Sequence, residues 1–267
     1  MSHHSDDLAL CRALAGEAAA ILREGHGRAQ PIELKGPVDL VTEYDRRVEA
    51  LIVRRLRAAD PQARIVGEEG GAQGSAGAER VWYVDPLDGT TNFAHGLPIF
   101  SVSIALYVAG EPRCGLVHAP ALGWEFAASR GGGATLNGDA IRVSATATLD
   151  GALLVTGFPY DRRTTSELNL DNFGAFVRRT QGVRRLGSAA LDLCFVARGW
   201  LDGYWERKLH PWDVAAGALI AAEAGARLTD LAGGPPHVEQ GEIVASNGRI
   251  HDAMLAVLAD VRAGRAE

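Results

Sequence analysis

Apolar residues return at helical spacing in two stretches near the start of the chain. Leu8, Cys11, Leu14, Ala18, Ile21 and Leu22 fall on one face of a helix predicted from about Asp6 to Arg23, which Gly25 and Gly27 stop. Thr42 reads as the N-cap of a second helix, with Val48, Leu51, Ile52 and Leu56 along one face and an end near Asp60-Pro61. Short β-type runs follow at 64–67 and 81–85, and the Gly-, Ala- and Ser-rich residues Gly70 to Gly77 between them read as a mobile loop. From Phe100 the segments SVSIALYV, RCGLVHA and WEFAAS, separated by Gly110-Glu111-Pro112 and by residues 120–123, predict an antiparallel meander. The second half alternates. Strands are expected at 152–156, 183–186 and 201–206, helices at 169–179, 188–198 and 213–224, then short strands near Arg227 and Ile243 and a last helix from Ile250 to about Arg262. A meander followed by alternation predicts an α+β half, residues 1–150, packed against an α/β half, residues 151–267.

Composition narrows the classes of partner. The 267 residues can bury a substantial core, as one large domain or two small ones. Lys and Arg total 27 against 33 Asp and Glu, and no stretch gathers the basic residues of a nucleic-acid groove, so no direct nucleic-acid contact is expected. Cys11, Cys114 and Cys194 are widely spaced with no C-x-x-C pair, which argues against a disulfide framework or zinc ribbon and fits a reducing cytoplasm. The opening MSHHSDDLAL lacks a basic stretch followed by a long apolar one, so no signal peptide is expected, and His3 and His4 read as a disordered start. The longest apolar stretches, 99–109 and 214–222, fall short of the roughly 20 residues a membrane-spanning helix needs. The five tryptophans form no stripe and read as core and pocket wall.

The segment VWYVDPLDGTTNF at 81–93 concentrates the chemistry. An apolar strand ends on Asp85, turns through Pro86, presents Asp88 and starts a helix at Gly89-Thr90-Thr91. Pro86 has its own φ fixed and disfavours the helical region for Asp85, so both acids can converge on one point. Hard oxygen ligands select Mg²⁺ or a similar cation, and N–H groups at a helix start attract an anion; metal plus phosphate suggests phosphoryl chemistry. An Asp-x-x-Asp-Gly turn is also a common loop on structural grounds. The alternating ligands and position-twelve glutamate of an EF-hand are absent. Leu87 stands where an Asp-x-Asp nucleophile pair needs its second acid, which argues against a covalent aspartyl-phosphate. GEEG at 67–70 brings Glu68 and Glu69 to a strand end, where such a pair is otherwise a solvated turn. Asp213 follows Pro211 at a helix start, where N-capping is the simpler role and leaves one oxygen for a metal. GGGATLNG at 131–138 lacks the Lys-Ser/Thr of a phosphate loop and reads as a glycine-rich hairpin.

Together, VDPLDGTTNF at 84–93, GEEG at 67–70 and HPWDVAAGALIAAEAG at 210–225 resemble the three signatures of the inositol monophosphatases, magnesium-dependent and lithium-sensitive phosphatases. KGPVDLVTEYD at 35–45, RLGSAALDLCFVARGWLDGYWE at 185–206 and ASNGRIHDAML at 245–255 extend the match from about Leu8 to Leu258. The resemblance implies one domain with a five-layered α-β-α-β-α sandwich, usually a homodimer. It implies that Glu68, Asp85 and the Leu87 carbonyl hold one Mg²⁺, that Asp85, Asp88 and Asp213 hold a second, and that a third, looser Mg²⁺ leans on Glu68 and water. Asp45 and Thr90 match the pair that orients the attacking water; Asp45 lies three residues after Thr42, so helix capping is the competing role. The N–H groups of Gly89 and Thr90 are expected to bind phosphate oxygens, and Gly187, Ser188, Ala189, Ala190, Glu206 and Asp213 match the groups set against a sugar ring and its hydroxyls. Glu206 could equally be a strand-end surface acid and Lys35 a solvated lysine. His210, three residues before Asp213, reads as packing or as support for a ligand, since imidazole suits zinc better than magnesium.

The expected activity is Mg²⁺-dependent hydrolysis of inositol phosphate or a similar polyol phosphate. Related phosphatases for histidinol phosphate, fructose bisphosphate or 3′-phosphonucleotides are the alternatives; Thr91-Asn92 favours the inositol branch, because the histidinol-phosphate and nucleotide branches often carry Lys there. Some bacterial relatives also act as partners of the transcription machinery. A scaffold freed of catalysis would be expected to lose acids that this chain keeps.

Overall fold

The computed structural model describes residues 2–28, 33–34 and 40–265; the expectation for Lys35 lies outside them. Helix α1 spans Ser2–Gly25, so the helix begins ahead of His3 and His4 and four residues before the predicted start near Asp6. Short strands β1 (Glu33–Leu34) and β2 (Leu40–Val41) precede α2 (Glu43–Ala59). Then come β3 (Arg64–Gly67), β4 (Gly71–Gln73), β5 (Arg80–Asp88), the five-residue α3 (Thr90–Ala94), β6 (Ser101–Val108), β7 (Glu111–Ala119), β8 (Trp124–Ser129), β9 (Ala134–Leu136) and β10 (Asp139–Ala140). The second half contributes β11 (Leu153–Thr156), α4 (Leu170–Val177), β12 (Gly182–Arg184), α5 (Ala189–Ala197), β13 (Gly203–Arg207), α6 (Pro211–Glu223), β14 (Arg227–Thr229), β15 (Glu242–Ser246) and α7 (His251–Arg262).

β1 and β2 pair with each other, and two larger sheets organise the remaining elements. Eight strands run in the order β10-β9-β8-β7-β6-β5-β3-β4, antiparallel except where β3 lies parallel to β5. Five run in the order β12-β11-β13-β15-β14, with β11 parallel to both β12 and β13. Period-2 alternation decides what each face of the large sheet meets. Val102, Ile104 and Leu106 of β6 join Trp82 and Val84 of β5 in one core with α1 and α2. Ala105, Tyr107 and Tyr83 point the other way, into a second core built with α5 and α6. A third core holds Phe176 of α4, Trp205 of β13, Val244 of β15 and Met254 of α7. The layers are therefore helices, sheet, helices, sheet, helices, as the resemblance implied.

The middle layer is thin. α6 seats so closely on the large sheet that a Cβ at Gly115 of β7 would lie 3.0 Å from the Cα of Ala216. The Tyr107 hydroxyl reaches the Ala215 carbonyl at 3.4 Å and the Ser103 hydroxyl the Trp212 carbonyl at 3.4 Å, fixing the start of α6 against β6.

Three local expectations change. The glycine-rich segment after residue 70 is partly ordered, because β4 pairs antiparallel with β3. β5 does not stop at Asp85: pairing with β6 resumes at Asp88 after an irregularity between Asp85 and Asp88, which absorbs Pro86 as a bulge. Among the tryptophans, Trp82 and Trp205 are core and Trp212 is pocket wall, but Trp200 is 41% exposed and packs on Trp124 at 4.7 Å between ring centroids. The 131–138 segment is the expected hairpin, with β9 and β10 joined through Asn137 and Gly138, both at positive φ.

Candidate active site

One cavity of about 310 Å³ opens where the end of β5, the β3–β4 turn and the starts of α5 and α6 meet. Glu68, Asp85, Asp88 and Asp213 all line it. Among the described residues no three Asp, Glu, His or Cys side chains stand together closely enough to hold a metal ion as they are placed. Hydrogen bonds from neighbouring backbone hold three of the carboxylates. Asp85 Oδ1 accepts from the Leu87 N–H at 2.9 Å, so the bulge is closed by its own acid. Asp213 Oδ2 accepts from the His210 N–H at 2.7 Å. Asp88 takes the Ser188 hydroxyl at 2.5 Å and the N–H groups of Ala189 and Ala190 at 3.2 and 2.9 Å. Those two N–H groups belong to the first turn of α5, where intrahelical partners are missing, so an acid from the large sheet caps a helix of the other half.

Glu68 is held less directly. Glu49, buried on α2, accepts the N–H groups of Glu69 and Gly70 at 2.8 and 2.5 Å and thereby fixes the turn that carries Glu68. Its carboxylate lies against Gly67 and Gly70, where a Cβ would come within 2.6 and 2.8 Å of its oxygens.

Electrostatics follow from burial and crowding of like charge. Asp85, 2% exposed, is raised well above the usual carboxylate range by burial and then by the charges of Glu68, Asp88 and Asp213. Asp213 is raised by burial, against its hydrogen bond from His210 and with Asp88 and Glu68 adding to the rise. Burial lifts Asp88 to about 6, opposed by its three hydrogen bonds and by the charge of Arg185 at the cavity edge.

Thr90 and Asp45 meet as expected. The Thr90 hydroxyl lies 3.1 Å from Asp45 Oδ1 and 2.9 Å from the Leu87 carbonyl oxygen, so either can accept its proton. Asp45 also caps: its Oδ2 accepts the Thr42 N–H at 2.8 Å and the Thr42 hydroxyl at 2.6 Å. The capping and site placements thus coexist, and Asp45 sits behind Thr90, fully buried. Asp213 likewise is the third residue of its helix, not the N-cap; His210 holds the cap position and its ring stacks on Trp212 at 4.6 Å. Gly89 is held at φ +91, and a Cβ there would sit 2.9 Å from the Ile99 carbonyl oxygen and 3.2 Å from that of Gly187, so only glycine passes.

On the far side, Gly187, Ser188 and Ala189 line the cavity, whereas the Ala190 side chain is buried behind it. Glu206 is no surface acid. It lines the cavity, Tyr204 donates to its Oε2 at 2.7 Å, and burial lifts it to about 7 against that hydrogen bond. Asp192, Arg185, Gly157 and Tyr160 also line the cavity, and sequence reasoning assigned them no role. Asp192 had a signal available: it is the one charge in the otherwise apolar helix AALDLCFVA. Glu49 had one too, since Asp45, Glu49, Ile52 and Leu56 share a helix face.

A profile of the inositol monophosphatase family matches residues 5–263. The chain is 47% identical over 234 residues to an inositol-1-monophosphatase of Synechocystis sp., covering 87% of this chain and 82% of that protein. It is 48% identical over 230 residues to a protein named Nus factor SuhB of Pseudomonas aeruginosa, covering 84% of each. Among solved structures, inositol monophosphatase from Anabaena (Nostoc) sp. superposes with a TM-score of 0.88 at 41% identity over 96% of each chain. Four acids from three separate segments round one cavity, in a fold and sequence shared this widely, make the chain a phosphatase of the inositol monophosphatase family.

Proposed function

We propose that the protein hydrolyses inositol monophosphate, or a similar polyol phosphate, to the free polyol and phosphate in a Mg²⁺-dependent reaction. The observation that carries this is the sharing of one cavity by Glu68 of the β3–β4 turn, Asp85 and Asp88 of the β5 bulge, and Asp213 at the start of α6. Their donor set is oxygen throughout, which fits Mg²⁺ and not a softer metal. Glu68, Asp85 and the Leu87 carbonyl would hold one ion, and Asp85, Asp88 and Asp213 a second, with Glu68 also the anchor for a looser third. When bound, such ions polarise the phosphoryl oxygens and make water available as a nucleophile near neutral pH.

The chain's own groups do the rest. The Thr90 hydroxyl orients the attacking water and passes a proton toward Asp45 Oδ1, which the two Thr42 bonds hold in place. The N–H groups of Gly89 and Thr90 hold phosphate oxygens as charge builds on them. Glu206, with the 187–189 backbone, holds the polyol. Water attacks directly, so no phosphoenzyme forms. Inhibition by millimolar Li⁺, a homodimeric assembly and a cytoplasmic location belong to the same reading. No helix among the described residues is long and apolar enough to cross a membrane.

The test is phosphate release with Mg²⁺ over inositol 1-phosphate, glycerol 2-phosphate, histidinol phosphate, fructose 1,6-bisphosphate and adenosine 3′,5′-bisphosphate. Release should be highest with the first, vanish with EDTA, and fall by about two orders of magnitude or more in Asp85→Asn with unchanged circular dichroism. No release from any ester, or an Asp85→Asn enzyme of near wild-type rate, refutes the proposal. The relatives named Nus factor favour a second, non-catalytic role. Failure to recover RNA polymerase with the protein from native extract would argue against it.

A further inference from the structure

The inner wall of the cavity carries an acid that none of the roles above uses. Every residue of α5 from Ala190 to Ala197 is buried, and Asp192 is the one charged group among them. It is 1% exposed, and its Oδ1 has no hydrogen-bond partner among the described residues. A carboxyl oxygen buried in this way destabilises the fold unless something else satisfies it. Leu191 and Leu193, on either side, join the apolar core between the two sheets, so this helix has no difficulty seating leucine. Asp192 differs from its neighbours in one respect: it lines the cavity, together with Glu206, Asp88 and Arg185.

The surroundings define what it would meet. Burial, and then the charges of Glu206 and Asp88, raise Asp192 well above the usual carboxylate range, and Glu206 stands at about 7. Both carboxyls line the cavity, and both carry oxygens that accept hydrogen bonds. Glu206 is fixed by Tyr204, and its carboxylate lies flush against Gly157, where a Cβ would collide with it. A wall of carboxyl oxygens, one of them without a partner among the described residues, matches hydroxyl groups, each of which has a proton to donate. It does not match a second phosphate, which Asp88, Asp192 and Glu206 would repel.

We infer that Asp192, paired with Glu206, is a specificity-determining residue whose carboxyl hydrogen-bonds a hydroxyl of the substrate's polyol half, away from the phosphate. This rests on the phosphomonoesterase reading of the same cavity. The test compares KM and kcat of wild type, Asp192→Asn and Asp192→Leu, with saturating Mg²⁺, on inositol 1-phosphate and on p-nitrophenyl phosphate, which has no hydroxyl to offer. The ratio of the two KM values, polyol ester over aryl ester, should rise about tenfold in Asp192→Leu and several-fold less in Asp192→Asn, the size expected for one lost hydrogen bond to a carboxyl. An unchanged ratio, whether both KM values rise together or neither moves, overturns the inference, because a residue needed only for the fold would act on both esters alike. If circular dichroism shows Asp192→Leu unfolded, the Asn variant decides by the same ratio. Wild-type protein that cleaves only the aryl ester overturns this inference and leaves a phosphatase standing; protein that cleaves neither overturns both.

Discussion

Asp45 and Asp213 each occupy the third position of a helix and reach back to the N–H of the residue before it, so the bond that starts the helix also aims the carboxylate. Glu206 has no such service and its buried charge is a liability. It holds its proton more tightly folded, at about 7, than at its ordinary value of 4.5. That difference favours the fold fully below pH 4.5 and is lost as the pH rises through 7, a change on the order of 3 kcal/mol. In EDTA, the melting temperature of Glu206→Gln should therefore fall less between pH 5 and pH 8 than that of wild type. Equal slopes would mean that Glu206 titrates as it does unfolded. The roles that sequence could suggest are those with local grammar: Asp85 and Asp88 beside Pro86 and Gly89, Glu68 in GEEG, Asp213 after Pro211. Arg185 escapes because it acquires meaning only from what folds opposite it; Asp192 carries a signal, a lone charge in an apolar helix, but that signal names no role without the cavity, and Glu206 reads equally well as a surface acid without the burial of β13.

At the scale of elements, the β3–β4 turn shows how a side chain on one element sets the geometry of another. Glu49 of α2 supplies the acceptor for two N–H groups of that turn. Glu49→Ala should cost about 1–3 kcal/mol of stability by stranding those donors, measured by urea unfolding. It should also raise the Mg²⁺ concentration for half-maximal activity several-fold, because Glu68 rides on the turn. A variant that loses stability but keeps its Mg²⁺ dependence would separate the turn from the site. Periodicity located α1, α2 and the meander because each has one clear apolar face. It missed β4, whose three residues Gly71–Gln73 carry no apolar pattern at all and are ordered by pairing with β3. It ended β5 three residues early, since a proline in a strand argues for a stop unless a bulge takes it up.

Across the whole molecule the acids are divided between the two sheets' territories. Glu68, Asp85 and Asp88 come with the large sheet, while Asp213 comes with α6 in the layer between. A ligand that binds all of them stabilises both halves at once. Mg²⁺ at about one hundred times its dissociation constant should raise unfolding free energy by about 2.7 kcal/mol, in a single urea transition with the same midpoint by far-ultraviolet circular dichroism and by activity. Two separated transitions would show that the halves unfold independently of the cavity.

The close seating of α6 on the large sheet bears on this cavity from a distance. Ala216 stands one turn after Asp213 and lies against Gly115, and Gly217 on the same helix admits Leu193 of α5 where a Cβ would lie 2.9 Å from it. These small residues behave as shims in a machined joint: their thickness, and not any ligand, sets the gap across which Asp213 faces Asp85. A single methyl group added to the joint would alter the reach between the acids while leaving every acid in place.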